Sequence, residues 1–258
     1  VFTLHNSFGS PLFSMSRALS APVPKGTPLK LLLRGQIVGI VLMLFALSLV
    51  SVLGMVAVFY PSVSEGSIAA AETARNIGFG AGVFGLSLVF LTVFHRQYAP
   101  YTAPVYALAG GVFMSGLSMG FEARFPGIAV QSIFLTLAIF CSMLFLYSTR
   151  IIKVTRQLMT FIFTATAAIA LTYLAGFLLL LLGMPIPFLH AAGTGGILWF
   201  GFIVTIAAMN LLVDFQRIEK LESRQHPAYM PWFVGLGLMV SLVWLYISVL
   251  RLLARVRR

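Results

Sequence analysis

Charge is scarce in this chain. Of its 258 residues 9% are charged and 60% hydrophobic, and the mean hydropathy is +1.01. A soluble domain carries roughly 25% charged residues, so an ordinary soluble domain is excluded. The apolar excess is more than one core can absorb, and lipid must solvate much of the surface. Acid is scarcer still, with 6 Asp+Glu against 17 Lys+Arg and a net charge of +11. Such a balance could suit nucleic acid, but the basic residues fall between apolar runs and at the two ends. That is how a membrane protein sets its orientation, and it needs no acidic partner, so no nucleic acid is expected.

Cysteine is nearly absent. Cys141 is the single one and lies inside an apolar run, which excludes an internal disulfide and a cysteine-built metal site. A small side chain packed against lipid or a helix is expected there. His5, His95, His190 and His226 are scattered without His-x-x-x-His or Glu-x-x-His spacing, so no metal cluster is expected. There is no Gly-x-x-x-x-Gly-Lys-Ser/Thr loop, Gly-x-Ser-x-Gly elbow or paired-cysteine motif. Nothing here supports catalysis, and no cofactor is implied.

Long apolar runs are what the chain has. A spanning helix needs about 20 mostly apolar residues, and seven stretches qualify: Leu31 to Tyr60, Asn76 to Phe94, Pro104 to Phe121, a fourth from after Pro126 to near Tyr147, Leu158 to Leu182, Ala191 to Phe215 and Trp232 to Leu253. Their links are short and punctuated by Pro, Gly or charge: Pro100 and Pro104, Pro126 and Gly127, then Gly183, Pro185 and Pro187. The expected fold is all-α, a polytopic transmembrane bundle of seven helices over residues 31–258. Residues 1–30 have no acid and carry Arg17, Lys25 and Lys30, while Pro11, Pro22, Pro24 and Pro28 would break an amphipathic targeting helix. A disordered basic cytoplasmic tail is the expectation.

Charge asymmetry sets the orientation. With the N-terminus inside, cytoplasmic segments hold Arg17, Lys25, Lys30, Arg34, Arg96, Arg150, Lys153, Arg156, Arg217, Lys220 and Arg224. The opposite loops hold Arg75 and Arg124 with Glu65, Glu72 and Glu122. The N-terminus is therefore expected in the cytoplasm, and the host membrane to be the cell (inner) membrane. The tail conflicts, because Arg251, Arg255, Arg257 and Arg258 would end outside after seven spans. Either the last segment is re-entrant or the earlier loops override it; seven full spans is the expectation.

Small residues recur at four-residue spacing: Gly78 with Gly82, Ala81 with Gly85, Gly116 with Gly120. Such spacing lets helix backbones approach where apolar burial no longer drives association, so the second and third helices are expected inside the bundle. Ionisable groups within spans are costly unless paired or solvated. Asp214 follows the apolar run 206–213 and closes the sixth expected helix, within reach of Arg217 or Lys220. Glu122 and Arg124 close the third, where a solvated turn competes with a pore or structural acid. Arg96 ends the second helix on the side of Asp214 and is a candidate ion-pair partner. Arg75 with Glu72 three residues before it suggests a local ion pair, and Arg34 should reach the headgroups. Trp232, Trp244, Tyr229 and Tyr98 fit interfacial belts or packing.

Two segments carry a family resemblance. Leu211 to Glu219, Leu-Leu-Val-Asp-Phe-Gln-Arg-Ile-Glu, followed by the run from Gly235 to Leu253, resembles the C-terminal signature of the Bax inhibitor-1 (transmembrane Bax inhibitor motif) family. Tyr106 to Gln131, with Phe-Glu-Ala-Arg-Phe-Pro-Gly-Ile-Ala-Val-Gln, resembles its bacterial branch. The resemblance implies a seven-helix bundle that passes Ca²⁺ down its gradient under control of pH. It implies an aspartate in the sixth helix sharing a proton with an acid in the seventh, and an arginine in the second that pairs with the aspartate. Asp214 matches the first acid, Ser248 occupies the position of the second, and Arg96 is the candidate arginine. A serine hydroxyl can donate to a carboxylate but cannot share its charge as a second acid does. Any pH gating is therefore expected to be weakened or moved to lower pH.

Three functions compete on this reading. A Ca²⁺-permeable leak with its gate at Asp214 leads; one carboxylate is a weak Ca²⁺ ligand, since such sites usually want six to eight oxygens. A non-conducting regulatory partner of another membrane protein, such as a membrane protease, needs only the basic cytoplasmic face. A secondary transporter would need repeats and broken helices, for which Gly195–Gly196 and Gly235–Gly237 are the candidate breaks.

Overall fold

The computed structural model describes residues 28–181, 194–222 and 227–257. Seven long helices follow one another: α1 (Pro28–Ser64), α2 (Ile68–Phe94), α3 (Ala99–Glu122), α4 (Ile128–Ser148), α5 (Arg156–Leu181), α6 (Thr194–Glu222) and α7 (Met230–Val256). A 3-10 turn, Arg96–Tyr98, joins α2 to α3. The shortest, α4, has 21 residues, which at 1.5 Å per residue is about 32 Å, enough for a hydrocarbon core of about 30 Å. The seventh helix runs unbroken through 27 residues and through Gly235 and Gly237. It is therefore neither re-entrant nor broken, and the transporter reading loses its α7 feature.

Several ends lie beyond the apolar runs, for local reasons. Helix α2 starts at Ile68, two turns before Asn76, because Ser67 accepts a hydrogen bond from the Ala70 N–H and caps it. Helix α3 starts at Ala99 with Pro100 in its first turn, where a missing N–H costs nothing, and it continues through Pro104. Helix α1 likewise runs past Pro61. Helix α6 continues from Phe215 to Glu222. Asp214 thus lies two turns inside α6 rather than closing it. The expected tail lies outside the described residues except where α1 begins, as do His5, His190, His226 and the link containing Gly183, Pro185 and Pro187. The Arg34 side chain lies outside them as well.

The core is built from α3, α6 and α7. Helix α6 is buried almost all round from Ile206 to Phe215, as expected for a helix apolar on every face. Ala207, Leu211, Phe215, Leu238, Leu245 and Val249 form the α6–α7 seam. Helix α3 reaches the core with small residues, including Ala103, Ala107, Gly110, Gly111 and Ser115. The α2–α3 contact is backbone against backbone: a Cβ placed on Gly116 would stand 2.5 Å from the Ala74 carbonyl oxygen and 2.7 Å from Gly78 Cα. The expected close approach therefore exists, but it does not place α2 inside. Only Ala71, Ala74, Gly78, Gly85 and Thr92 of α2 are buried, and Val83, Phe84, Leu86 and Phe90 are exposed. Helix α3 is interior and α2 is peripheral. A second close approach joins α1 to α3, where a Cβ on Gly111 would stand 2.1 Å from Ser51 Oγ. Cys141 is exposed on α4 among apolar neighbours.

Candidate functional site

Asp214 is the buried carboxylate at the α6–α7 seam, 3% exposed. Its Oδ2 accepts a hydrogen bond from Ser241 Oγ of α7 at 2.5 Å. Its Oδ1 accepts one from Arg217 Nη1, one turn along α6, at 3.0 Å. Gly237 of α7 faces Oδ1, and a Cβ there would stand 3.9 Å from it, in ordinary contact. The carboxylate is thus met by one hydroxyl across the seam and one guanidinium on its own helix. The Arg217 side chain is 45% exposed and lies over the Phe163 ring of α5, 5.6 Å from its centroid. It can therefore neutralise a buried charge while keeping its own hydration, which avoids much of the desolvation cost of a fully buried pair.

The other expected site residues lie elsewhere. Ser248 is buried but donates to the Trp244 carbonyl at 2.8 Å, one turn back on α7. It stands two turns beyond Ser241, about 10 Å along the axis, and is not brought to Asp214. The seven-residue offset keeps both serines on one face of α7. Arg96 is exposed and lies over the Phe233 ring at 5.3 Å; Arg217 takes the place expected of it at Asp214. The motif had offered Arg217 as a local partner, and that alternative is the one realised.

Glu122 is half-buried and takes a structural part. Its two oxygens accept the Gly127 N–H at 2.5 Å and the Ala129 N–H at 3.1 Å, which caps the start of α4. The chain returns through Gly127 at φ 80°, a conformation glycine adopts without strain. A carboxylate at a helix N-terminus also suits the macrodipole.

The missed residues are Ser241 and Gln216. Gln216 donates to the Val154 carbonyl at 2.9 Å, and Glu219 accepts from the Tyr147 hydroxyl and lies 4.0 Å from Arg150. The α4–α5 link is thereby fastened to α6 within two turns of Asp214. Among the described residues no group of three or more His, Cys, Asp or Glu side chains could hold a metal ion.

Seven helices of spanning length, apolar side chains turned outward on the peripheral helices and polar ones gathered at the interior seams define a multi-pass α-helical membrane protein. The chain belongs to the Bax inhibitor 1 like family, which it matches over residues 11–258. No curated protein and no solved structure matches it.

Proposed function

We propose that the protein is a Ca²⁺-permeable leak pathway of the cell (inner) membrane, N-terminus cytoplasmic, with its gate at Asp214. The observation that carries the reading is the Asp214–Ser241 contact: a carboxylate holds α6 and α7 together where the seam is otherwise apolar. Adding a proton to such a group removes the charge that Arg217 and Ser241 serve, and the seam loosens. Family membership supports the same reading. The partners of this carboxylate are a hydroxyl and a guanidinium rather than a second acid, so the pair of acids that the resemblance implies is replaced here by Asp214 and Ser241. One carboxylate makes a poor resting site for Ca²⁺, which suits passage rather than storage. The test is Ca²⁺ entry into dye-loaded liposomes from pH 5 to 8, with wild type beside Asp214→Asn and Ser241→Ala. Flux that both substitutions change is expected. Absent flux from folded protein sinks the leak.

One observation favours a second reading, a regulatory partner of another membrane protein. Arg150 and Lys153 are exposed on the link that Gln216 and Glu219 fasten to α6, and Arg156 is exposed at the start of α5 beside it. A protein gripping that link would act directly on the helix of Asp214. Retained flux and altered partner binding in Lys153→Glu would separate the two.

A further inference from the structure

Arg75, Arg124 and Arg251 line one cavity of about 230 Å³ with Phe79, Leu117, Gly120, Phe121 and Phe125. All three belong to the end of the bundle opposite Asp214. Arg75 is seven residues into α2, Arg124 follows α3, and Arg251 is five residues before the end of α7. At 1.5 Å per residue they lie within about 10 Å of the helix ends, the depth of lipid headgroups. The Arg75 stem lies along Gly120, where a Cβ would stand 3.2 Å from its Cδ. The glycine makes room for the arginine to turn inward.

No acid answers these charges among the described residues. The ion pair expected between Glu72 and Arg75 does not form; the described ion pairs are Arg150–Glu219 and Arg217–Asp214, both at the other end. Glu122, the carboxylate nearest in sequence to Arg124, is engaged by the α4 cap. Arg251 rests on the Tyr173 ring, 5.7 Å from its centroid, which orients the guanidinium without neutralising it.

An apolar groove adjoins the cavity at Phe79. This groove, of about 290 Å³, runs along α2 and α3 past Gly82, Gly85, Leu86, Val89 and Phe113. Its α2 lining runs from Phe79 to Val89, away from the end of α2 that carries Arg75. Planar guanidinium groups suit phosphate oxygens, two hydrogen bonds at a time, and a basic pocket between spanning helices is a fitting site for an anionic headgroup.

We propose that this cavity and groove form a site for an anionic phospholipid, with the phosphate among Arg75, Arg124 and Arg251 and one acyl chain along α2 and α3. A bound anion also gives a reason for arginines to collect at the end where charge bias does not call for them.

The experiment is native mass spectrometry of the whole protein released from detergent, titrated with phosphatidylglycerol, phosphatidylcholine or inorganic phosphate. Phosphatidylglycerol is expected to bind at least tenfold more tightly than phosphatidylcholine. The triple variant Arg75→Gln, Arg124→Gln, Arg251→Gln should lose that preference; Arg124→Gln alone, at an exposed position, should weaken it severalfold with melting unchanged. Leu86→Trp, which fills the groove from its exposed side, should weaken phosphatidylglycerol and leave inorganic phosphate unaffected. Equal binding of the two lipids by wild type overturns the proposal, as does a preference that survives in folded triple variant. Displacement of the lipid by equimolar inorganic phosphate overturns it too, because the site would then be one for a free anion.

Discussion

Gly116→Ala tests what holds α2 to α3. The added Cβ would stand 2.5 Å from the Ala74 carbonyl oxygen, 2.7 Å from Gly78 Cα and 3.0 Å from Gly78 N, against 3.4–4 Å for ordinary contact. All three atoms are backbone, so no side chain can swing aside, and α2 must retreat by about 1 Å along this stretch. That retreat also opens the Gly82–Phe113 contact and stretches the Thr92–Thr102 hydroxyl pair, now 2.6 Å. Overpacking of this kind costs about 1–3 kcal/mol, while alanine regains about 1 kcal/mol of helix propensity over glycine. A net destabilisation of up to about 2 kcal/mol follows, and about 1–3 kcal/mol relative to a glycine-to-alanine change with open space around it. Gly80→Ala is the matched control on the same helix pair, since nothing lies within 4 Å of its Cβ position; it should be neutral or stabilising. Reversible unfolding in mixed micelles, followed by circular dichroism, reads both. Should Gly116→Ala prove as stable as Gly80→Ala, the backbone contact is not what joins these helices.

Three further outcomes are expected. Ser241→Ala should shift the pH profile of Ca²⁺ flux while Ser248→Ala leaves it in place, because Ser248 returns its hydroxyl to its own helix. Glu122→Ala should cost about 1–2 kcal/mol as a lost cap and speed hydrogen exchange at the Gly127 and Ala129 amides, with flux preserved. Arg217→Gln should destabilise more than Asp214→Asn. The first leaves a desolvated carboxylate with one hydroxyl, at about 1–3 kcal/mol for the lost charged hydrogen bond, whereas the second leaves an arginine that is already half exposed. Thermal unfolding of the two variants side by side decides it.

The spans were legible because a bilayer imposes a length and a polarity on each helix, and both are properties of sequence windows. Their ends were not, since Ser67 and the α3 start depend on caps and on proline in a first turn rather than on hydropathy. Gly78 and Gly116 correctly announced a close approach, but spacing on one helix does not say which partner is interior. That is settled by the opposite face, apolar and exposed on α2. Asp214 was visible as the acid inside an apolar run. Its partner on α7 was not, because Ser241 and Ser248 differ only in which turn meets α6, and that register is fixed by packing of the whole seam. Arg217 was within reach of Asp214 by helical spacing alone, three residues on. The arginine cavity was hidden altogether: Arg75, Arg124 and Arg251 are far apart in sequence and meet only when α2, α3 and α7 do.

Apolar burial gives helices little reason to associate inside lipid, so cohesion falls to close packing and to hydrogen bonds between helices. Four such bonds join helices in the described interior: Thr92 with Thr102 between α2 and α3, Ser118 with Tyr246 between α3 and α7, Asn210 with Thr166 between α6 and α5, and Ser241 with Asp214 between α7 and α6. Each is worth on the order of 0.6 kcal/mol by analogy with other membrane bundles. Three of them join neutral groups and hold with the same strength across the physiological pH range. The fourth contains a carboxylate, and its strength depends on a charge that solution conditions can remove. Under the proposed gate at Asp214, this is the bond that would serve, because a switch needs a bond weak enough to break and a seam wide enough to matter. The α6–α7 seam is lined by Ala207, Leu211, Phe215, Leu238, Leu245 and Val249, so loosening it at Asp214 leaves little else polar to hold the two helices in register.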